Sequence, residues 1–322
     1  MPSNTTLSGM LDGGANLTVD GALATELEAF GCDLEDPLWS AKVLLEQPHL
    51  VKRVHRDYFR AGAAVAVTAS YQATTLGFAR RGLGEEEALE LVALSVRLAD
   101  EARREYLAEN PGKGPLLVAG SVGPYGAFLA DGSEYRGDYV LTRDELLEFH
   151  RSRIAALVDA GADFLACETL PSLPEAEVLL ALLQEFDVEA WLSFTLRDGG
   201  HISDGTPLAE VARLCGGQPL AVAIGVNCVP LELVSPALEA LGKATDMPLI
   251  AYPNSGESYD AITKTWGPVA AGDNSAGPGS NVPVSLSEGT PIWRELGARL
   301  VGGCCRTTPQ DIAAVAELSE KR

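Results

Sequence analysis

Short apolar runs alternate with segments of helical periodicity along almost the whole chain. The eight runs are Leu17–Asp20, Ala64–Ala69, Leu116–Ser121, Asp163–Glu168, Glu189–Thr195, Ala221–Asn227, Met247–Tyr252 and Arg299–Gly303. Most of them are continuously apolar, as expected of parallel strands that are covered on both faces. Their mean spacing of about 40 residues is typical of one strand–helix unit in an eight-stranded barrel. The pattern therefore predicts eight parallel strands.

The segments between the runs carry signals of helix formation. Glu85–Asn110 places its apolar residues on one stripe, with charged residues elsewhere. Thr142 with Glu145 has the spacing of a capping box, and Ser172 with Glu175 indicates another helix start. A helix is therefore expected after most of the predicted strands.

Eight repeats without a break in composition predict a single (β/α)8 barrel of the TIM type. We assign the barrel to residues 17–322 and interpret residues 1–16 as a polar N-terminal tail. A doubly wound open sheet is the alternative, because the order of the strands is invisible in the sequence.

Two connections are too long to be simple turns. They are Val122–Tyr139, rich in Gly, Asp and Tyr, and Asn254–Ser287, rich in Gly, Pro, Asn and Ser. Loops of this length are usually functional or disordered. Both follow strands, so both are expected on the C-terminal face, where barrel enzymes build their sites. We expect a lid or substrate wall, and we expect removal of Gly272–Ser280 to weaken binding of a substrate.

Three cysteines fall at the predicted ends of strands on one rim. Cys304 and Cys305 follow Gly302 and Gly303 after the eighth strand, and Cys228 ends the sixth. Two glycines permit a close turn through which adjacent thiolates can reach one point. Three thiolates with an open fourth position are typical of a catalytic zinc site, and sulfur ligands favour zinc over magnesium or calcium. Inert buried thiols or a strained vicinal disulfide are the alternatives.

Two carboxylates also end predicted strands. Asp20 closes the first strand and Glu168 closes the fourth. A carboxylate at an apolar barrel mouth is costly unless it meets a cation, and a substrate ammonium group would serve. The alternatives are a helix N-cap for Asp20 and a salt bridge to a loop arginine for Glu168. The histidines are not predicted to be metal ligands, since His55 and His150 fall in helical patterns and are expected on surfaces or at helix–barrel contacts.

The charge balance narrows the choice of partners. The chain has 322 residues, with 24 Lys and Arg against 45 Asp and Glu, for a net charge of −21. Phosphate would be repelled over most of such a surface, so no nucleic acid or membrane partner is expected. No apolar stretch approaches the roughly 20 residues of a membrane span, and the first 16 residues do not resemble a signal peptide. We expect a cytoplasmic protein that acts on small molecules.

Several ordered motifs resemble the zinc-dependent homocysteine S-methyltransferases, and most closely the branch that uses S-methylmethionine as methyl donor. The resemblance runs from Asp20 to the C-terminus. The motifs are Gly302–Pro309, Gly225–Cys228, Asp20–Glu28, Thr68–Thr74, Ser121–Gly126, Glu168–Pro171 and Tyr252–Gly256.

The resemblance implies a (β/α)8 barrel that transfers a methyl group from a sulfonium donor to the thiolate of homocysteine, forming methionine. It implies zinc on Cys228, Cys304 and Cys305, with the homocysteine thiolate as fourth ligand. It also implies that Asp20 and Glu168 lie near the homocysteine amino group. Thr68 and Asn227 are carried over as residues of the substrate pocket.

Three alternatives stay open at this point. The acceptor could be another thiol or a selenol such as selenocysteine, and the donor could be S-adenosylmethionine. A protein of another class, a thiol-redox or metal-sensing protein that uses Cys304 and Cys305, is the third. Betaine is disfavoured, because the chain has Gly21-Ala22 where betaine-using relatives have two glycines, and because only 6% of its residues are aromatic.

Overall fold

The computed structural model describes residues 6–256, 258–260, 265–267 and 283–319. The strands are β1 Leu17–Thr18, β2 Val65–Val67, β3 Leu117–Val122, β4 Phe164–Leu170, β5 Ala190–Phe194, β6 Leu196–Asp198, β7 His201–Ile202, β8 Ala221–Asn227, β9 Leu249–Tyr252, β10 Ser258–Asp260, β11 Thr265–Gly267 and β12 Ala298–Val301. The helices are α1 Leu7–Asp12, α2 Leu23–Ala29, α3 Ala41–Glu46, α4 Pro48–Arg60, α5 Thr75–Ala79, α6 Glu85–Glu109, α7 Tyr125–Leu129, α8 Arg143–Asp159, α9 Leu173–Phe186, α10 Leu208–Gly216, α11 Leu231–Gly242, α12 Leu286–Glu295 and α13 Pro309–Ser319, with a 3-10 turn at Ser133–Tyr135.

Eight parallel strands form one sheet in the order β1-β12-β9-β8-β5-β4-β3-β2. A parallel bridge between Val19 and Val65 then joins the first strand to the second and closes the ring. The neighbours around the ring follow chain order, so the predicted (β/α)8 barrel is confirmed and the open sheet is excluded. Each of the eight apolar runs overlaps one barrel strand.

Two apolar layers surround the strands. The larger lies between the strands and the outer helices. The smaller fills the inside of the barrel and includes Leu17, Val19, Val65, Leu117, Phe164, Trp191, Ile250 and Leu300. These inner side chains are almost fully buried, so the barrel has a packed interior, as barrels of this size do.

The N-terminal segment holds a short helix where a polar tail is predicted. Helix α1 buries Leu7 and Leu11 against the inner apolar layer. The backbone N–H of Ser8 donates to the Glu189 carboxylate at 3.1 Å, just before β5 begins. Leucines four positions apart share one face of a helix, a signal that the polar composition conceals. The helix therefore covers the N-terminal end of the barrel.

Of the two helix starts with predicted capping contacts, one shows them and the other does not. α6 runs over the predicted segment, and Thr142 and Glu145 form a capping box at α8. α9 begins after Ser172 as predicted, but Ser172 makes no side-chain cap. The Glu175 side chain instead turns towards α8 and the loop after β3.

The two long connections both leave the C-terminal ends of strands. The first, 122–139, contains α7 and the 3-10 turn. The second begins with the antiparallel pair β10–β11, while Gly272–Ser280 lies outside the described residues, so its expected role stays a prediction. In the described part of the chain, no helix has the length and apolar character needed to cross a membrane.

Candidate active site

The three predicted cysteines meet at the C-terminal rim of the barrel. The sulfur of Cys228 lies 3.6 Å from that of Cys305, and the sulfurs of Cys304 and Cys305 are 4.0 Å apart. All three sulfurs lie within 4.8 Å of one another. Tetrahedral Zn–S bonds of about 2.3 Å would separate two sulfurs by about 3.8 Å. The donor set therefore fits one zinc-sized ion with a coordination position left open.

Backbone geometry at two strand ends brings the sulfurs together. Cys228 adopts a left-handed conformation with φ of 53°, and its N–H donates to the Tyr252 carbonyl at 3.2 Å. The Cys304 carbonyl accepts from the Thr307 hydroxyl at 2.7 Å, which holds a tight turn. A Cβ at Gly302 would lie 2.7 Å from atoms of the segment after β1, so only glycine fits this close approach. The expected turn through adjacent cysteines is therefore observed.

Burial and hydrogen bonding give the three thiols different pKa values. The pKa of the Cys228 thiol lies well below its usual value, because Cys304, Cys305 and Tyr135 offer hydrogen bonds to its sulfur. The pKa values of Cys304 and Cys305 lie well above theirs, chiefly because of their hydrogen bonds with Cys228. Cys228 is buried and the other two are half-buried, and three sulfurs this close cannot all be ionised without a cation. The cluster therefore favours a bound divalent metal.

The two predicted carboxylates are buried at the same mouth. Asp20 is 3% exposed and its Oδ2 accepts from the Val67 N–H at 2.9 Å. Burial, reinforced by the charge of Glu168, raises the pKa of Asp20 well above its usual value. Burial also raises the pKa of Glu168 to about 7, although hydrogen bonds with Ser121 and Tyr252 oppose the shift. Among the described residues, neither carboxyl group thus has a cationic partner that would favour its charged form.

The structural alternatives for these carboxylates are not observed. The N-cap of α2 is Ala22, whose N–H is met at 3.1 Å by the Thr307 hydroxyl, so Asp20 does not cap the helix. No arginine of the described residues forms an ion pair with Glu168. The neighbour of Asp20 is His55, whose Nδ1 lies 4.0 Å from Oδ2. Its two ring nitrogens have no hydrogen-bond partner in the described structure, and burial lowers the pKa of His55 to about 4.

Thr68 and Asn227 lie at the mouth but bond to the chain itself. The Thr68 hydroxyl accepts from the Ser121 N–H at 2.9 Å, and Ser121 in turn hydrogen-bonds Glu168. The Asn227 amide makes two bonds with Thr169, at 2.7 and 2.8 Å. Both residues therefore hold the strand ends that carry the proposed ligands, and direct contact with substrate stays a prediction.

Sequence reasoning missed Glu134 and Tyr135 in the loop after β3. The Tyr135 hydroxyl lies 3.1 Å from the Cys228 sulfur. Glu134 has a buried Oε2 without a partner in the described structure, and burial, with the charge of Cys228, raises its pKa to about 7. Tyr71, in the adjacent loop after β2, lies near the charges of Glu134 and Cys228. The composition of Val122–Tyr139 predicts that this loop lines the substrate site. A loop has no periodicity, however, so the sequence does not show which of its side chains face the site.

Comparisons with known proteins agree with this site. A family profile for homocysteine S-methyltransferase matches residues 17–319. The chain is 56% identical over 316 residues to the homocysteine S-methyltransferase of Escherichia coli (strain K12), covering 98% of this chain and 99% of that one. It is 41% identical to the selenocysteine methyltransferase of Astragalus bisulcatus, covering 95% and 93%. The metallated crystal form of the Escherichia coli homocysteine methyltransferase MmuM has a TM-score of 0.84, with 52% identity over 96% of this chain and 98% of that chain.

Proposed function

The chain belongs to the homocysteine S-methyltransferase family, and we propose that it moves a methyl group from the sulfonium of S-methylmethionine to homocysteine at a zinc ion held by Cys228, Cys304 and Cys305. The observation that carries the proposal is the convergence of three sulfurs around one open position. When bound, zinc would keep the homocysteine sulfur as a thiolate at neutral pH, where a thiol with a pKa near ~8.5 is mostly protonated. Family membership favours methyl transfer over the redox or metal-sensing alternative.

In this proposal, Asp20 and Glu168 bind the ammonium group of homocysteine. Both are buried, both have raised pKa values, and the charge of Glu168 adds to the cost of ionising Asp20. An ammonium group placed between them would pair with two carboxyl groups that have no cationic partner among the described residues. The amino acid is thereby oriented with its sulfur towards the cysteines.

Glu134 is the residue that we assign to the methyl donor. Its carboxyl group lies near Cys228, and its buried Oε2 has no hydrogen-bond partner in the described structure. A sulfonium carries a positive charge until its methyl group leaves, so a carboxylate beside its path would attract it to the thiolate. The chain then has mainly to hold the leaving sulfur, the methyl carbon and the attacking sulfur in line.

S-methylmethionine fits this arrangement better than S-adenosylmethionine or betaine. It is compact, and its charge sits on the reacting sulfur. S-adenosylmethionine shares the sulfonium but adds a nucleoside, so we expect slower transfer. Betaine is usually bound by an aromatic cage. Tyr71 and Tyr135 face the mouth, but the Tyr135 hydroxyl is engaged with Cys228. We therefore expect betaine to be inactive.

A donor competition assay on zinc-replete enzyme tests the proposal. Homocysteine is supplied with S-methylmethionine, S-adenosylmethionine and betaine together, each carrying a distinct methyl isotope label. Methionine labelled chiefly from S-methylmethionine, with one zinc per chain, is the expected result. Preference for betaine, or the absence of transfer from either sulfonium, would overturn the donor assignment.

Selenocysteine is a second candidate acceptor. The observation in its favour is the relative from Astragalus bisulcatus, which carries that name at 41% identity. A selenolate could occupy the same open position between the three cysteines. Selenocysteine is one carbon shorter than homocysteine, so its ammonium group would reach Asp20 and Glu168 less well. A kcat/KM for selenocysteine above that for homocysteine would reverse this ranking.

A further inference from the structure

A buried hydrogen-bond network lies behind the loop that carries Glu134 and Tyr135. Its centre is the Glu175 carboxylate on α9, which is fully buried. Oε1 of Glu175 accepts from the Tyr125 N–H and from Nε2 of His150, both at 2.7 Å. Oε2 accepts from the Tyr139 hydroxyl. One carboxylate thus receives two donors from the loop segment and one from α8.

Arg153 extends the network from the other side of the histidine. Its Nη2 donates to Nδ1 of His150 at 2.6 Å and to the Gly123 carbonyl. A donor at Nδ1 places the imidazole proton on Nε2, so a neutral His150 donates to Glu175. Burial and the charge of Arg153 both lower the pKa of His150 to about 4 and so keep it neutral. Three polar side chains that are at most 1% exposed form one connected unit.

The contacts of this unit fall at the two ends of one segment. Gly123 and Tyr125 are its first residues, and Tyr139 is its last. Between these anchors the chain makes its excursion over the barrel mouth, where the Tyr135 hydroxyl meets the Cys228 sulfur at 3.1 Å. The Glu134 carbonyl is held from the far side by the Thr195 hydroxyl at 2.9 Å. The segment is therefore fixed at both ends and touches the cysteine cluster in its middle.

The unit is not needed to hold α8 against α9. Buried charged groups are weak contributors to stability, because desolvation offsets much of their attraction. α8 and α9 already have apolar contacts, and an exposed ion pair between Arg151 and Glu185, at 2.7 Å, links them as well. In addition, Glu175 stands at the capping-box position after Ser172, yet Ser172 makes no side-chain cap at the start of α9. The side chain is used for the loop instead.

We propose that Glu175, together with His150 and Arg153, is a positioning unit that holds the segment 123–139 so that Tyr135 stays at the Cys228 sulfur and Glu134 stays at the mouth. The inference rests on the proposed function, because it assigns the unit to the wall of the proposed metal and donor site. None of its three members contacts a reacting atom. Its disruption should therefore change the environment of the cysteine cluster and the handling of the donor, while the metal is still retained.

Cobalt(II) substitution makes the cluster visible, since thiolate-to-cobalt absorption responds to hydrogen bonding at sulfur. The Tyr135→Phe protein gives the reference spectrum without the phenol. The Glu175→Met protein should shift the absorption in the same direction, and it should add nothing in the Tyr135→Phe background. Its kcat/KM for the donor should fall at least about tenfold at full metal occupancy.

Two matched variants separate positioning from general loss of stability. Glu175→Gln should recover most of the wild-type spectrum, because its carbonyl can accept from Tyr125 and His150 while its amide donates to the Tyr139 hydroxyl. Leu179→Ala, at a fully buried apolar position of the same helix, should lower the melting temperature without moving the spectrum. A Glu175→Met protein with a wild-type spectrum and a lowered melting temperature would overturn the proposal.

Amide hydrogen exchange provides a readout that does not depend on metal. Exchange across residues 123–139 should rise in metal-free Glu175→Met and stay unchanged in Leu179→Ala. If the wild-type protein binds no cobalt through thiolates, the proposed zinc site is wrong, and exchange alone decides whether the unit holds the segment. Equal exchange in both variants would refute the positioning role whatever the outcome for the metal.

Discussion

The two ends of the barrel differ in the side chains that they bury, which are apolar at one end and ionisable at the other. At the N-terminal end, helix α1 buries two leucines against the inner apolar layer. At the C-terminal end, the protein buries two carboxyl groups with raised pKa values, beside one buried and two half-buried cysteines whose sulfurs lie within 4.8 Å of one another. Burial of apolar surface stabilises the fold, whereas burial of unpaired charge opposes it. The comparison indicates that one end maintains the barrel and that the other is completed by what it binds.

Removal of a sulfur from the C-terminal end should have the largest effect. Replacement of Cys228, Cys304 or Cys305 singly by alanine should abolish metal retention and activity, because two sulfurs leave the ion without its third protein ligand. Metal content and turnover of the purified variants measure this. Cys32→Ala and Cys215→Ala, at buried cysteines outside the cluster, are the controls and should keep both. Full zinc occupancy in Cys304→Ala would refute the site.

Neutralising the carboxylates should weaken homocysteine binding but spare the metal. Asp20→Asn and Glu168→Gln should each lose a charge-assisted contact of about 1.5–3 kcal/mol, roughly 10- to 150-fold in affinity. Calorimetric titration of zinc-loaded protein with homocysteine provides the measurement. If both variants bind homocysteine as tightly as the parent, the two carboxylates are structural and the ammonium group is held elsewhere.

Shortening a buried side chain at the N-terminal end should have the opposite result, with lower stability but unchanged metal binding and activity. Leu7→Ala removes a side chain that is 1% exposed and should lower the free energy of unfolding by about 2 kcal/mol, the low end for buried leucines, because a short terminal helix can fray locally. Denaturant unfolding measures the loss. Zinc content and kcat at a temperature well below the melting point should stay at the parent values, and a fall in either would mean that the two ends are coupled.

The effect expected to be smallest near neutral pH concerns acid. Burial lowers the pKa of His55 and of His150 to about 4, whereas an unfolded histidine titrates near ~6.5. The unfolded chain therefore binds more protons between these values, so stability is present above pH ~6.5 and is lost as pH falls towards ~4. Each histidine should contribute a slope of about 1.4 kcal/mol per pH unit.

Comparison with His55→Leu isolates this contribution. Glu168 has a raised pKa, so its stabilising term is present at low pH and is lost as pH rises through about 7. Because the Glu168 term is present in both the parent and the variant, the difference in slope between pH 4 and 6.5 reports the loss of His55, together with any change in the titration of Asp20, whose Oδ2 lies 4.0 Å from Nδ1 of His55. Unfolding midpoints at several pH values measure it. Identical slopes in both proteins would show that His55 does not titrate as expected.

The fold was largely predictable because its signals are local and repeated. Continuous apolar runs mark buried parallel strands, and each of the eight runs overlaps one strand of the barrel. The convergence of Cys228 with Cys304 and Cys305 also follows from sequence, since strand ends on one rim are neighbours in any closed barrel. Helix α1 was missed because two leucines within a polar stretch give too weak a pattern.

The wall of the site could not be predicted for a different reason. Glu175 has the spacing of a capping residue, and nothing local reveals that its carboxylate bonds to Tyr125, His150 and Tyr139 instead. His150 has the appearance of an ordinary helix residue, although it is fully buried. Those contacts join residues up to 50 positions apart, and tertiary packing alone decides them.

The packed interior of the barrel also limits where small molecules can enter and leave the proposed site. Because side chains fill the inside of the barrel and α1 covers its N-terminal end, substrates and products must both pass through the C-terminal mouth. In the proposed reaction, the methylated acceptor is formed on the groups that must bind the next homocysteine. Its departure must precede every new cycle, so accumulated methionine should compete directly with homocysteine and restrain turnover when methionine is plentiful.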